Sequence, residues 1–416
     1  MKTVAVIGAG ISGLSAAALL SRRHRVHLFE RDTRLGGHTN TVVIQTPDGP
    51  LPLDTGFLVH NDRTYPNLIR LFAALSVETL DSDMSFSVSC GRTGLEYSSR
   101  GANGFFAQRR NLVNPAHLLL LREIVRFNRE APAILADEDA GQLTLGEFLE
   151  RRRFSTVFIR RYVLPMASAI WSTSLGGVRA FPAQTFVRFF QNHGLLALHD
   201  QPVWKVVRGG SHTYVPKLRA AISGEVHQGV EIASVRRGET AVTLTFRDRP
   251  PVDVDEVVFA CHGDQVLPLL ADPSNREREV FGRFTTTAND AWLHTDASFL
   301  PREPRAQASW NYRLDADPDA PPVVTYDLNR LQRLRTREQY CVTLNPAGAI
   351  DASRVLGRFH YRHPLYTSGA IRSQAQWHEV SGVARTHFCG AYWFYGFHED
   401  GLNSAIRVAR ALGVEW

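Results

Sequence analysis

The sequence is poor in cysteine: its 416 residues include only four, at positions 90, 261, 341 and 389. They are widely separated, and none belongs to a Cys-x-x-Cys pair, the spacing typical of zinc sites and redox motifs. We therefore predict neither a disulfide framework nor a bound metal, and we expect a protein of the reducing cytoplasm.

Lysine is scarcer still. Lys2, Lys205 and Lys217 are the only lysines, so 44 of the 47 basic residues are arginine. The formal net charge is +6 and no long basic run is present, which argues against nucleic-acid binding because such binding concentrates charge on one face. A weakly anionic partner, such as a lipid headgroup or an acidic substrate, stays open.

Long apolar segments are missing as well. No stretch approaches the roughly 20 consecutive apolar residues that a membrane-spanning helix requires. The overall composition, 44% hydrophobic and 21% charged, is that of an ordinary soluble globular protein. A chain of this length is expected to form two domains, since one domain usually holds about 100–200 residues.

The beginning of the chain predicts a strand, a glycine turn and a helix. The apolar run 3–7 is typical of a strand buried in a parallel sheet, and it leads into Gly8-Ala9-Gly10-Ile11-Ser12-Gly13 and then into helix formers. In this context GxGxxG indicates dinucleotide binding. The first glycine permits the tight turn, the second lets the backbone approach a pyrophosphate, and the third lets the helix lie close to the strand. The helix N-terminus offers N–H groups to the phosphates.

A second predicted strand, 26–29, ends at Glu30, 20 residues beyond Gly10. An acidic residue at this spacing accepts hydrogen bonds from the ribose hydroxyls and repels a 2′-phosphate. Five residues then separate Glu30 from Gly36-Gly37. This arrangement resembles the FAD-binding signature of the flavin-containing amine oxidase superfamily.

Further segments resemble the same superfamily in the same order. Residues 53–57 are similar to its D-x-G segment, 207–218 to its returning Gly-Gly turn, and 386–390 with 401–405 to its last strand and helix. The resemblance implies FAD as the cofactor, with Val235 offering backbone hydrogen bonds to the adenine and the last helix pointing its N-terminus at the flavin. The cofactor contacts that it implies are Gly8, Gly10, Ile11, Ser12, Gly13, Glu30, Arg31, Gly36, Gly37, His38, Thr55, Gly56, Phe57, Val235, Gly390, Gly401 and Leu402.

Longer strings resemble a bacterial group of predicted FAD-dependent oxidoreductases that are often encoded beside cyclopropane fatty-acid synthases. These strings are 54–57, 61–68, 83–87, 169–172, 186–194 and 396–401. The resemblance implies a lipid substrate and leaves a lipid methyltransferase open as a partner.

Three departures argue against amine oxidation. His38 stands where many relatives have arginine, and Ala391 stands where an acidic residue often serves the FAD. Lys205 is a poor match for the lysine that holds a water near flavin N5 in some oxidases.

The order of these signals predicts a mixed α/β fold. A doubly wound FAD-binding domain of the glutathione-reductase type would be assembled from residues 1–85, 205–268 and 375–416. Residues 86–204 and 269–374 would form an inserted, discontinuous substrate domain of α+β class, helical in its first part and with strands in its second.

The substrate side offers fewer signals. Leu112–Arg129 predicts an amphipathic helix with a basic face, compatible with an anionic membrane surface or with an ordinary solvated face. The aromatic residues between 154 and 190 are compatible with core packing or with a tunnel for an apolar chain.

Several polar side chains are candidates for acid–base chemistry or substrate orientation near the flavin. His398 and Glu399 are predicted as catalytic because they immediately precede the flavin-facing helix. His193, His360 and His363 are further candidates, each more typical of a structural histidine.

The sequence thus predicts a cytoplasmic FAD-dependent oxidoreductase that transfers a hydride equivalent between the flavin and an apolar substrate, a long-chain fatty acyl group or lipid. Peripheral contact with the inner face of the membrane stays open. So do two other functions: an amine oxidase that releases hydrogen peroxide, and a flavin-dependent lipid isomerase or partner of a lipid methyltransferase.

Overall fold

The computed structural model describes residues 1–137, 143–197, 201–314, 321–346 and 350–416. Its strands are β1 (Thr3–Ile7), β2 (Arg25–Phe29), β3 (Thr41–Thr46), β4 (Gly49–Asp54), β5 (His60–Asn61), β6 (Thr79–Asp81), β7 (Phe86–Cys90), β8 (Leu95–Ser98), β9 (Trp204–Val207), β10 (Glu225–His227), β11 (Ile232–Arg237), β12 (Val242–Phe246), β13 (Val252–Val254), β14 (Glu256–Phe259), β15 (Thr286–His294), β16 (Trp310–Arg313), β17 (Val323–Asp327), β18 (Cys341–Leu344), β19 (Val355–Pro364) and β20 (Thr386–Phe388).

The helices are α1 (Ile11–Leu20), α2 (Pro66–Ala74), α3 (Gly101–Phe105), α4 (Pro115–Glu130), α5 (Leu145–Arg151), α6 (Thr156–Phe158), α7 (Leu164–Trp171), α8 (Leu175–Arg179), α9 (Ala183–Asn192), α10 (Tyr214–Ala220), α11 (Val266–Leu269), α12 (Asn275–Phe281), α13 (Leu328–Leu331), α14 (Ser368–Ala375), α15 (Trp377–Val380) and α16 (His398–Ala411). Within the described ranges, no helix is both long enough and apolar enough to cross a bilayer.

A five-stranded sheet organises the first region. Its order is β10-β2-β1-β14-β20, and every neighbouring pair is parallel. Because parallel strands end at the same sheet edge, the turns after β1, β2, β14 and β20 meet there. These strands come from residues 3–29, 225–259 and 386–388, which are distant in the chain.

The other sheets are largely antiparallel. A seven-stranded sheet has the order β19-β15-β18-β17-β16-β7-β8, in which only the β16–β7 pair is parallel. A three-stranded meander, β11-β12-β13, contacts the parallel sheet through Phe246, whose ring centroid lies 5.2 Å from that of Phe29. The mixed α/β class is confirmed, and strands rather than a helix cover this part of the parallel sheet.

The buried apolar side chains form two clusters. The first contains the parallel sheet, α1, the meander and α16, whereas the second contains the helices α4 to α9 and the seven-stranded sheet. The boundaries of the two predicted domains stay a prediction, but each cluster draws on distant segments of the chain.

Two predicted helices begin elsewhere. The sequence places His398 and Glu399 just before the last helix, but α16 begins at His398 because the Asp400 carboxylate accepts the N–H of Phe397 (2.9 Å) and so caps the first turn. The basic amphipathic helix begins at Pro115, where Asn114 accepts the N–H of Ala116 (3.1 Å).

Candidate cofactor and active site

The turn after β1 requires glycine at two positions. Gly8 has a φ of +100° and donates its N–H to the carbonyl of Phe29 (2.8 Å). A Cβ on Gly13 would lie 1.8 Å from the carbonyl oxygen of Gly8, so α1 packs directly on the turn. Ala in place of Gly13 would therefore force the helix away from the sheet.

Gly10 differs from these two glycines. A Cβ built on it meets nothing within 4 Å among the described residues, so it faces open space. Gly10 is also the residue before α1, and it provides no side-chain cap for the helix. The first N–H groups of α1 thus have no side-chain cap, and a helix N-terminus of this kind binds anions such as a diphosphate. This geometry fits the FAD that the sequence predicts.

Glu30 lies beside this turn. Its carboxylate accepts the N–H of Ala9 (2.6 Å) and that of Asp32 (2.9 Å), so the backbone orients it at the end of β2. The N–H of Val230 donates to the carbonyl of Glu30 (2.9 Å), which brings the segment before β11 to the same place.

The second glycine turn closes on the first. Gly36 donates its N–H to the carbonyl of Ala9 (2.8 Å), and a Cβ on Gly37 would lie 3.1 Å from the Cα of Gly10. Arg34 stabilises this turn by donating to the carbonyls of Gly37 and Thr39, both at 2.7 Å. The two glycine motifs are therefore adjacent in space.

The last helix meets α1 at the same place. A Cβ on Gly401 would lie 2.7 Å from Cγ2 of Ile11 and 2.9 Å from Oγ of Ser12. Gly390, after β20, donates its N–H to Oγ of Ser404 (2.8 Å), and Leu402 is fully buried beside it. The structure thus brings predicted cofactor residues from both ends of the chain to the N-terminus of α1.

We call the region at the N-terminus of α1, where these segments meet, the cleft. The D-x-G segment, residues 53–57, forms its next wall. Phe57 donates its N–H to the carbonyl of His38 (2.8 Å), and a Cβ on Gly56 would lie 2.1 Å from that same oxygen. Thr55 shares a hydrogen bond with the hydroxyl of Tyr361 (2.8 Å).

Asp54 joins this segment to the returning Gly-Gly turn. One oxygen accepts hydrogen bonds from the hydroxyl of Thr41 (2.5 Å) and from the N–H and hydroxyl of Ser211 (2.8 and 2.9 Å). Burial nevertheless raises the pKa of Asp54 to about 6. Its position identifies it as a buried connection between β4 and the segment before α10.

His398 lies in a polar cluster at the start of α16. Its Nε2 is 2.9 Å from the hydroxyl of Thr39 and 3.2 Å from that of Tyr214, and its ring stacks on Phe57 with centroids 3.5 Å apart. Burial, with a smaller effect of His60, lowers the pKa of His398 to about 3. The ring is therefore neutral and a weak proton acceptor at pH 7, which favours a positioning role for it.

Three other histidines, His38, His262 and His363, lie close together, and one of them contacts Tyr361. His38 stacks on Tyr361 (5.1 Å between centroids) and lies 5.4 Å from His363 and 5.8 Å from His262. Burial, followed by the neighbouring His363, lowers the pKa of His38 well below its usual value. Its Nε2 is buried without a hydrogen-bond partner among the described residues, so it is available to a polar atom of a bound molecule.

Sequence reasoning missed Asp400. Its carboxylate accepts the N–H groups of Phe397 (2.9 Å) and Tyr395 (3.2 Å), and burial raises its pKa to about 7. A carboxylate that titrates near neutral pH is suited to proton transfer. Asp400 directly follows the predicted pair, and burial raises the pKa of the Glu399 carboxyl as well.

Glu399 caps a neighbouring helix. Its two oxygens accept the N–H groups of Asn67 (3.0 Å) and Leu68 (2.8 Å) at the N-terminus of α2. A carboxylate in this position caps the helix and interacts favourably with its dipole. The catalytic role of Glu399 stays a prediction.

Val235 is fully buried within β11, and its carbonyl accepts the N–H of Ala271 (2.9 Å). The backbone at Val230, before β11, is the part of this segment that reaches Glu30. The adenine contact of Val235 stays a prediction. Arg31 is exposed, with its guanidinium 4.0 Å from Asp32, and its cofactor contact stays a prediction.

The remaining candidates are distributed over the molecule. His363, next to His38, lies 3.0 Å from the side chain of Asn289. His360 is exposed and lies 2.6 Å from Asp290. His193 stacks on Phe189 (3.8 Å), and burial lowers its pKa to about 4.

Comparison with known proteins agrees with this geometry. The family model described as flavin containing amine oxidoreductase matches residues 11–413. A search of curated proteins finds no match to the chain.

The fold is similar to that of cyclohexylamine oxidase from Brevibacterium oxydans IH-35A (TM-score 0.72, 15% identity, 99% of each chain covered). It is also similar to putrescine oxidase bound to putrescine (TM-score 0.69, 15% identity, 99% and 98% covered) and to a CLA-producing fatty acid isomerase from P. acnes (TM-score 0.71, 14% identity, 98% of each covered). At such identities the likeness concerns the fold alone.

Proposed function

This chain belongs to the flavin-containing amine oxidoreductase family and is an FAD-dependent oxidoreductase, and we propose that its substrate is a long-chain acyl group taken from a lipid surface. FAD supplies the acceptor for a hydride equivalent when it is bound. The protein supplies position and a dry environment: neutral histidines and the hydroxyls of Thr39, Tyr214 and Tyr361 surround the cleft.

An exposed apolar surface on α4 and on the segment just before it carries the proposal. The described residues include ten exposed large apolar side chains, and five of them lie between 112 and 125. We call these five, Leu112, Val113, Leu118, Leu121 and Val125, the α4 patch. Water-facing apolar residues are normally scattered, so such a concentration indicates an interaction surface.

Arginines surround the α4 patch. Arg109, Arg110, Arg122 and Arg129 are exposed, and an arginine near an anionic bilayer contributes about 1 kcal/mol to binding. An apolar strip flanked by arginine is complementary to the interface of an anionic membrane. This chemistry favours a phospholipid surface as the partner of α4.

Aromatic side chains connect the buried side of α4 with the cleft. Successive ring centroids are 6.4 Å apart for Phe127 and Phe186, 6.0 Å for Phe186 and Trp171, 4.8 Å for Trp171 and Phe189, and 5.0 Å for Phe189 and Phe397. Phe397 directly precedes α16. These residues are core, and the apolar wall that they form beside the cleft suits an acyl chain.

The lysines argue against the amine oxidase alternative. Lys2 pairs with Glu256 (2.6 Å), Lys205 with Asp81 (2.7 Å), and Lys217 donates to a backbone carbonyl after α2. Each ammonium group is thus engaged by another residue, which argues against its serving as the lysine found near flavin N5 in some oxidases. The fold alone does not decide, since amine oxidases and a fatty acid isomerase resemble it equally.

The membrane contact is tested by sedimentation with vesicles. We expect binding to vesicles of equal parts phosphatidylglycerol and phosphatidylcholine, weaker binding to phosphatidylcholine alone, and loss of binding in a Leu118→Ser/Leu121→Ser/Val125→Ser variant. The matched control is Val43→Ser/Leu356→Ser, which removes two exposed apolar residues elsewhere and should bind normally. Equal binding by both variants would contradict the proposal.

The activity is tested on the purified yellow protein. Mass spectrometry of phospholipids incubated with enzyme and an electron acceptor should show loss of two hydrogens from an acyl chain together with flavin reduction. Hydrogen peroxide formed only with amines would establish the amine oxidase alternative instead. A moved double bond without acceptor consumption would establish an isomerase, and activity only with an added lipid methyltransferase would establish a partner protein.

A further inference from the structure

The edge strand β10 carries a cluster outside the cofactor cleft. β10 pairs in parallel with β2, so that Glu225 lies opposite His27 and His227 lies opposite Phe29. Alternate residues of a strand point to the same face. His27, Glu225 and His227 therefore share one face at the edge of the parallel sheet, and we call them the edge cluster.

The spacing of the edge cluster matches a metal site. Nδ1 of His27 and Nε2 of His227 each lie 3.4 Å from the same oxygen, Oε2 of Glu225. All three ligand atoms lie within 4.8 Å of one another. Zinc bonds of about 2.0–2.2 Å in a tetrahedron separate neighbouring ligand atoms by about 3.3–3.5 Å. Both measured nitrogen–oxygen separations meet this requirement without movement.

Packing holds both imidazoles in place. The His227 ring stacks on Phe29 with centroids 4.8 Å apart, and the two histidine rings are parallel to within 6°. His27 is buried, whereas the side chain of Glu225 is half exposed. The cluster thus has two ordered imidazole nitrogens and one side open to solvent, where a water would complete the coordination of a bound metal.

Two arginines oppose a cation here. Nη2 of Arg25 donates to the other oxygen of Glu225, Oε1 (3.2 Å), and Arg249 lies near His227, with its guanidinium 5.6 Å from the Phe246 ring. Arg25 leaves Oε2 free for a metal, but its charge lowers the affinity. We expect micromolar rather than tighter binding.

We propose that His27, Glu225 and His227 form a surface site for a divalent transition metal, with zinc as the representative ion. Two imidazoles and one carboxylate are ligands that suit zinc. The cysteine spacing predicts no bound metal. It could not reveal this site, because His27 and Glu225 lie 198 residues apart in the chain and form no local motif.

The site is adjacent to the ribose carboxylate. The carbonyl of His227 accepts the N–H of Glu30 (2.8 Å), so a metal that joins β10 to β2 also stabilises the strand end that carries Glu30. Metal binding should therefore raise the thermal stability of the apoprotein. Metal binding should also slow FAD release. This second effect depends on the proposed FAD site, but the proposal of the metal site does not.

Calorimetric titration of the untagged holoprotein with ZnCl2 tests the proposal. We expect one zinc per chain, with affinity at least about tenfold lower in His227→Ala and in Glu225→Gln. His360→Ala, which removes an exposed histidine next to Asp290, is the control and should bind as the parent does. Retained FAD absorbance verifies that each variant is folded.

Arg25→Ala sharpens the test. Removing this guanidinium frees Oε1 of Glu225 and removes a repelling charge, so zinc should bind more tightly. Adventitious binding to scattered histidines would not respond to this change. No binding by the parent protein, equal binding by His227→Ala, or unchanged binding by Arg25→Ala would each overturn the proposal.

Discussion

The cofactor cleft and the helical region of α4 to α9 are specified by the sequence in different ways. In the cleft, main-chain contacts are so close that a single added carbon at Gly13 or Gly56 would overlap a carbonyl oxygen. In the helical region, aromatic side chains fill the core and an amphipathic pattern faces the solvent. The cleft therefore tolerates few residue types, whereas the helical region requires mainly volume and polarity.

This difference explains which predictions could be precise. A glycine required by a positive φ or a close approach marks one position in the chain. A buried phenylalanine marks only the interior, because many arrangements bury it equally well.

Gly13→Val should have the largest effect. Its Cβ would overlap the carbonyl of Gly8, and we expect a loss of about 3 kcal/mol or more in unfolding free energy, or no folded protein. Chemical denaturation of the apoprotein measures this. Gly10→Ala is the matched control: its Cβ meets open space, so the apoprotein should keep its stability while FAD affinity falls. Equal stability losses in both variants would contradict the geometry.

Glu30→Ala should weaken FAD binding by about 10–100-fold, because hydrogen bonds to an ionised carboxylate contribute about 1.5–3 kcal/mol. Flavin fluorescence during equilibrium dialysis gives the dissociation constant. Glu30→Gln keeps an acceptor oxygen and should lose less. Full retention of the yellow colour in Glu30→Ala would show that another residue holds the ribose.

Acid should destabilise the cleft before the rest of the molecule. Burial lowers the pKa of His363 to about 4 and that of His398 to about 3, against about 6.5 in the unfolded chain. The unfolded state then binds more protons between those values, so this stability is present above pH 6.5 and is lost as pH falls toward 4.

Three carboxyl groups, Asp54, Glu399 and Asp400, act in the opposite direction because burial raises the pKa of each. The pKa values of Asp54, about 6, and Asp400, about 7, are raised by burial, so these groups favour the folded state as pH falls toward 4. We expect the cleft histidines, which include His38, to outweigh them. Between pH 7 and pH 5, flavin release followed by fluorescence should move to lower temperature more than unfolding followed by circular dichroism. Equal shifts of the two transitions would contradict this order.

The smallest effect is expected on the surface of α4. Leu121 belongs to the α4 patch, and Leu121→Ser should change the unfolding free energy by no more than about 0.5 kcal/mol. Its neighbour Leu120 is fully buried, and Leu120→Ala should cost about 2–5 kcal/mol. Thermal denaturation of the two variants compares them directly. Similar losses would mean that α4 is covered on both faces.

Sequence reasoning located the glycine turns, Glu30 and the convergence of both chain ends on one cofactor. It was less accurate where residues act through their surroundings. Glu399 and Asp400 are adjacent acids of similar chemistry, yet the first caps α2 and the second caps α16. The difference depends on the position of α2, which local sequence does not reveal.

The sequence alone determined the cofactor and the family, because a dinucleotide cradle depends on backbone conformations that only certain residues at fixed spacings allow. Tertiary structure decided what surrounds the cleft: His38 lies more than 300 residues from Tyr361 and His398 in the chain, and β15–β19 pairing brings Tyr361 to the cleft wall. Such contacts depend on how sheets pack and pair, and this geometry is a property of the whole fold rather than of any local pattern.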